Sequence, residues 1–139
     1  MRSINVPRVF IGGIVAGLVI NVSEFILNML VLGAGMDAMM ARMNLPPLGG
    51  PAIAVFVVLG FALGVATAWL YAAIRPRFGP GWRTALVAGA AVWFFAYFYG
   101  SVSLAVMRIF PAGSMAVAVT WGLGEILIAS VVAGALYKE

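Results

Sequence analysis

VFIGGIVAGLVINVSEFILNMLVLG, residues 9–33, decides the fold. As a helix it is about 37 Å long at 1.5 Å per residue, enough to cross a hydrocarbon layer of about 30 Å. Glu24 is its single ionisable residue. Working outward, three further apolar runs occupy residues 52–74, 84–107 and 115–137, and Pro46, Pro47, Pro51, Pro76, Pro80 and Pro111 fall between or at the ends of the four. Proline removes a helix hydrogen bond and clashes with the preceding turn, so its placement supports the same division as the hydropathy. The pattern predicts an all-α polytopic integral membrane protein: one domain, residues 1–139, built as a bundle of four transmembrane helices.

Composition agrees. Hydrophobic residues make up 65% of the chain and charged ones 9%, whereas a soluble domain runs near half apolar and about a quarter charged. With 139 residues, four helices of this length leave room only for short connections. The formal charge of +4 does not point to nucleic acid, because the eight basic residues lie scattered at the ends of apolar runs instead of clustering on one face. Cysteine and histidine are absent, which excludes disulfides, thiol redox chemistry, zinc sites, His-ligated haem and any Ser-His or Cys-His nucleophile. No cofactor and no enzymatic activity are expected.

Arg2 and Arg8 before an apolar run resemble the start of a signal peptide. The run continues to Leu32 and carries Asn21 and Glu24, so the first helix is expected to remain in the protein. Basic residues resist translocation; Arg2, Arg8, Arg75, Arg77, Arg83 and Lys138 fall on one side and Arg42 and Arg108 on the other. Both termini are therefore expected in the cytoplasm. The turn from Arg75 to Arg83 would meet anionic headgroups, with Trp69, Tyr71, Trp82 and Tyr137 as an aromatic belt at the same level.

Each helix shows one face of small or polar residues. In the first, Gly13, Gly17, Asn21, Glu24 and Asn28 recur at steps of three and four; in the fourth, Ala118, Gly122, Glu125, Ala129 and Ala133 do the same; the second offers Gly60, Gly64, Thr67 and Tyr71. Small residues four apart let backbones approach in lipid, so Gly13, Gly17, Gly60, Gly64 and Gly122 are read as helix-packing positions, with homo-oligomerisation through Gly60 and Gly64 as the alternative.

Glu24 and Glu125 carry the most information, because a carboxylate inside a membrane is costly and normally faces a bundle interior or cavity. Each lies about nine or ten residues below the outer end of its helix, roughly 14 Å at 1.5 Å per residue. Tyr97 and Tyr99 on the third helix reach a similar depth, and Trp121 sits one turn from Glu125. A buried polar layer of Asn21, Glu24, Asn28, Tyr97, Tyr99, Trp121 and Glu125 is expected, with Ser101 and Ser103 available to extend it. No basic residue lies within the runs to pair with the acids. Two neighbouring carboxyls without a counter-charge cannot both ionise cheaply, so at least one is expected to hold a proton at neutral pH.

The outer loop, residues 35–50, places Met36, Met39, Met40 and Met43 at i, i+3, i+4 and i+7, which predicts a short amphipathic helix. Its methionine face would rest in the headgroup boundary. Thioethers are also soft ligands, so Cu(I) binding by the same four residues, near Met29, Met107 and Met115, is a second reading.

Gly12-Gly13, Ala16-Gly17, Asn21, Glu24-Phe25 and Leu27-Asn28, together with Ala73-Ile74-Arg75-Pro76-Arg77, Trp121-Gly122 with Glu125, and the ending Gly134-Ala135-Leu136-Tyr137-Lys138-Glu139, resemble a group of small bacterial membrane proteins with four transmembrane segments. The resemblance implies a bacterial inner-membrane location and four helices; it implies no reaction, substrate or ligand. Two functions follow as expectations. One is a structural or accessory component that packs against membrane lipids and a larger membrane complex through its glycine faces. The other is a homo-oligomeric proton- or cation-coupled transporter or channel using Glu24 and Glu125. Small four-helix multidrug exporters offer a loose analogy to the second, having a membrane glutamate in their first helix.

Overall fold

A computed structural model describes residues 3–138 and is helical throughout, with no strand among them. Arg2 and Glu139, used above for topology and resemblance, lie outside the described residues. Four helices are long and apolar enough to cross a membrane: α1 (Val6–Val31), α3 (Gly50–Phe78), α4 (Trp82–Val106) and α5 (Ala112–Leu136). Between the first two lies the short α2 (Gly33–Arg42).

The ends follow from local chemistry. Asn5 accepts the Arg8 backbone N–H at 3.3 Å on its side-chain oxygen, and Pro7 occupies the first turn of α1, where its missing donor has no helical partner to lose. Pro51 does the same for α3. That helix does not stop at residue 74: it runs through Pro76 to Phe78 and ends where Gly79 takes φ 85°, a left-handed conformation that costs glycine little. The other spans start up to three residues before the limits read from hydropathy and close one or two residues before them.

α1 lies beside α3 and α5; α4 lies beside α5 and meets α3 through its Trp82–Trp93 segment; α3 and α5 touch across the centre. The core is concentrated in the half of the bundle nearest the termini. There Val9, Ala16 and Ile20 of α1, Ala68, Tyr71 and Ala72 of α3, Ala85 and Ala88 of α4, and Ile126, Ala129 and Ala133 of α5 form one buried cluster. Alanine dominates it because close backbone contact supplies the dispersion energy that water exclusion cannot supply in lipid. A Cβ on Gly13 would lie 2.5 Å from the Val65 Cα, and one on Gly64 would collide with the backbone of Gly13 and Gly17. Gly13, Gly17, Gly60 and Gly64 therefore form the α1–α3 seam inside a single chain.

The face bearing both termini is fastened by tyrosines. Tyr71 accepts the Gly81 N–H and Tyr137 accepts the Asn5 N–H, each at 3.1 Å, and the two rings meet edge to face at 6.0 Å. Both rings are buried, so of the four residues expected in an aromatic belt only Trp69 and Trp82 are exposed. The opposite half is looser. Residues 53–59 of α3 are exposed on every side, and the second half of α4, through Phe95, Tyr99 and Val106, is largely uncovered.

α2 begins one residue after α1 ends. Met39 is buried, Met36 and Met40 are half-buried, and Met43, just beyond the helix, is exposed.

Candidate functional site

The tight half of the bundle ends in a layer of polar side chains. Glu125 of α5 is 4% exposed. Its Oε1 accepts a hydrogen bond of 2.6 Å from the Tyr97 hydroxyl of α4. Its Oε2 is buried and completes no well-aligned hydrogen bond among the described residues, while the Ser23 hydroxyl and the Glu24 carboxyl of α1 stand close enough to hydrogen-bond the Glu125 carboxyl. Trp121, one turn from Glu125, donates its indole N–H to Ser23 Oγ at 2.9 Å. Since Ser23 accepts that bond, its own hydroxyl hydrogen is left to be offered elsewhere. Glu24 accepts the Asn28 amide at 2.9 Å on Oε2, while the same amide also reaches the Glu24 carbonyl at 2.8 Å.

Two breaks in helical geometry deliver these groups. α1 closes in a π-helical turn over Leu27–Val31, which holds Asn28, and α4 passes through another over Phe94–Phe98, which holds Tyr97. A π turn inserts one residue into the helix and swings the side chains beyond it to a new face, and such turns recur where a side chain must be aimed. Gly122 makes the aim of Tyr97 possible, because a Cβ there would fall on the Tyr97 ring. Trp93 fixes the same seam by donating to the Val119 carbonyl at 2.9 Å.

Glu24, Tyr97, Trp121 and Glu125 lie together with Ser23, which the stripe on α1 omitted, while Asn28 is exposed and reaches the group only through Glu24. Asn21 does not join. Its amide bonds the Gly17 carbonyl at 3.0 Å and the Val57 carbonyl at 3.2 Å, against Gly60, so it bolts α1 to α3 one turn away from the carboxyls. Tyr99 is 68% exposed and points out of the bundle. Two residues on a helix are about 200° apart, so Tyr97 and Tyr99 cannot both face inward. Ser103 bonds the Tyr99 carbonyl of its own helix at 2.7 Å, and Ser101 makes no bond to the layer.

Both carboxyls lie far from the basic residues, which sit at the two ends of the bundle. The groups that act on the Glu125 carboxyl, the Tyr97 and Ser23 hydroxyls and the Glu24 carboxyl, all present oxygen. No three acidic, His or Cys side chains converge among the described residues, so a carboxylate cage for a divalent metal is not assembled there. No family model, curated protein or solved structure is similar to the chain.

Proposed function

We propose that the chain is a small proton- or cation-coupled transporter or channel of the bacterial inner membrane, with Glu125 and Glu24 as its ion-binding pair. The observation that carries this reading is a buried carboxyl, Glu125, whose Oε2 completes no well-aligned hydrogen bond, set beside a second carboxyl, Glu24, with no cation next to them among the described residues. A purely structural glutamate would have both oxygens satisfied, because a half-satisfied buried acid destabilises the fold. An atom kept open is what a site that loads and releases a proton or cation requires. Loading neutralises carboxylate charge that lipid tolerates poorly.

The asymmetry of the bundle supports a route. Close helix contacts and the Tyr71–Tyr137 clasp seal the terminal half, whereas α3 and α4 diverge beyond the polar layer. Arg8, Arg75, Arg77, Arg83 and Lys138 crowd the terminal face, so that face is taken as cytoplasmic and the site as facing outward. The glycine pairs of α1 and α3 are filled from within the chain, which withdraws them both as the docking face of an accessory protein and as a surface for homo-oligomerisation through Gly60 and Gly64.

Reconstituted vesicles test the reading. Proton or monovalent-cation flux is expected from the wild type and is expected to fall at least tenfold in both Glu125→Gln and Glu24→Gln. Wild-type vesicles as tight as empty ones, or Glu125→Gln vesicles as leaky as wild type, would overturn it. Recovery of the protein from mild detergent in a stable complex with a different membrane protein, without flux, would restore the accessory role.

A further inference from the structure

The strongest feature outside the polar layer lies at the opposite end from the termini. The C-terminal end of α2 and the turn joining α4 to α5 flank a half-open pocket of about 560 Å³ whose lining combines the exposed Arg42 and Arg108 with Met39, Met43, Ile109 and Phe110. Neither guanidinium has a hydrogen bond or ion pair among the described residues, and Asp37, the acidic residue of α2, binds neither. Two like charges sharing one pocket repel each other unless an anion lies between them. The pocket also takes in Pro111 and Ala112, where α5 starts with no side-chain cap, so the first backbone N–H groups of a long helix open toward the same space.

We infer that this pocket binds the phosphate of an anionic phospholipid, with Arg42 and Arg108 gripping the headgroup and Met39, Ile109 and Phe110 receiving the start of its acyl chains. Each element of the pocket answers one part of that ligand. Guanidinium forks match phosphate oxygens in pairs. The apolar wall has no role for a free phosphate ion but continues the surface along which a tail would lie. Membrane phospholipid is present at this level of any spanning bundle, so no diffusing ligand needs to be supplied. Independence from the Glu24–Glu125 layer follows from position, since the pocket is lined at the outer ends of α2, α4 and α5 by none of the side chains of that layer.

Native mass spectrometry of the purified protein exchanged into phosphatidylglycerol or phosphatidylcholine micelles tests the assignment. The wild type is expected to retain a phosphatidylglycerol through detergent removal, and Arg42→Gln/Arg108→Gln to weaken that retention roughly tenfold for each arginine lost. Arg77→Gln/Arg83→Gln, which removes equal charge from the opposite face, is expected to leave this lipid in place. Arg108→Gly offers a variant whose backbone suits its position, so loss of lipid from it cannot be laid to misfolding. Equal losses from both double variants, or none from Arg42→Gln/Arg108→Gln, would overturn the assignment. Displacement of the lipid by millimolar inorganic phosphate would assign the pocket to a free anion instead.

Discussion

The Tyr97 hydroxyl and the Glu125 carboxyl meet at 2.6 Å across the α4–α5 seam, and the tyrosine reaches that position from within a π-helical turn. Removing the hydroxyl takes from a buried acid the well-aligned hydrogen bond on its Oε1. Tyr97→Phe is therefore expected to lower stability by about 1–3 kcal/mol, the cost of an orphaned buried polar group. Glu125→Gln keeps an acceptor for Tyr97 and should cost less. Thermal unfolding in detergent gives the order; a Tyr97→Phe protein as stable as wild type would show that the bond carries no weight.

Glycines here divide sharply by what surrounds them. A Cβ at Gly64 meets the Gly13 and Gly17 backbone, which cannot rotate aside, whereas Gly100 and Gly124 have nothing within 4 Å. Gly64→Ala should force α1 and α3 apart and cost about 1–3 kcal/mol, as overpacking does. Gly124→Ala should be neutral or gain about 0.5–1 kcal/mol, since alanine orders a helix more cheaply than glycine. Equal effects at the two positions would contradict the α1–α3 seam.

The long helices were legible because a spanning segment has to satisfy its own backbone in lipid, which forces about 20 consecutive apolar residues and a visible signal. Glu24 and Glu125 were legible for the related reason that a lone acid in such a segment must turn inward. What was not legible depends on departures from ideal geometry. Tyr97 faces inward and Tyr99 outward, a distinction that depth alone does not make. Ser23 follows Val22 and precedes Glu24, about 100° around an ideal helix from the acid, so a stripe counted in threes and fours passes over it. Asn21 shares the stripe of Glu24 but sits about 4.5 Å nearer the termini, where Gly60 leaves space for it beside Val57.

Topology can be read cleanly because the chain contains no cysteine. Single cysteines at Arg77, in the last turn of α3, and at Asn44, just beyond α2, lie on opposite faces of the bundle and are both exposed. In intact cells a membrane-impermeant maleimide is expected to label Asn44→Cys and to reach Arg77→Cys only after lysis. The reverse pattern would invert the orientation inferred from the basic residues, and with it the outward-facing assignment of the carboxyl pair.

Arg108 presents the most direct test of how the far turn is built. It has φ 58°, its N–H bonds the Ala105 carbonyl at 3.0 Å, and the Ile109 N–H bonds the Leu104 carbonyl at 3.1 Å. That paired pattern ends a helix on a left-handed residue, a place normally given to glycine because a Cβ there crowds the following carbonyl. Asn44 ends α2 in the same way with φ 55°, but asparagine tolerates the conformation and arginine does not. Arg108→Gly should relieve the crowding and raise stability by about 1 kcal/mol, while Arg108→Ala, which keeps the Cβ and loses only the charge, should bring no comparable gain. Unfolding of the three proteins in one detergent compares them directly. Equal stability of the glycine and alanine variants would mean that the left-handed turn at Arg108 stores no strain, and that the guanidinium is placed by something other than the helix end beneath it.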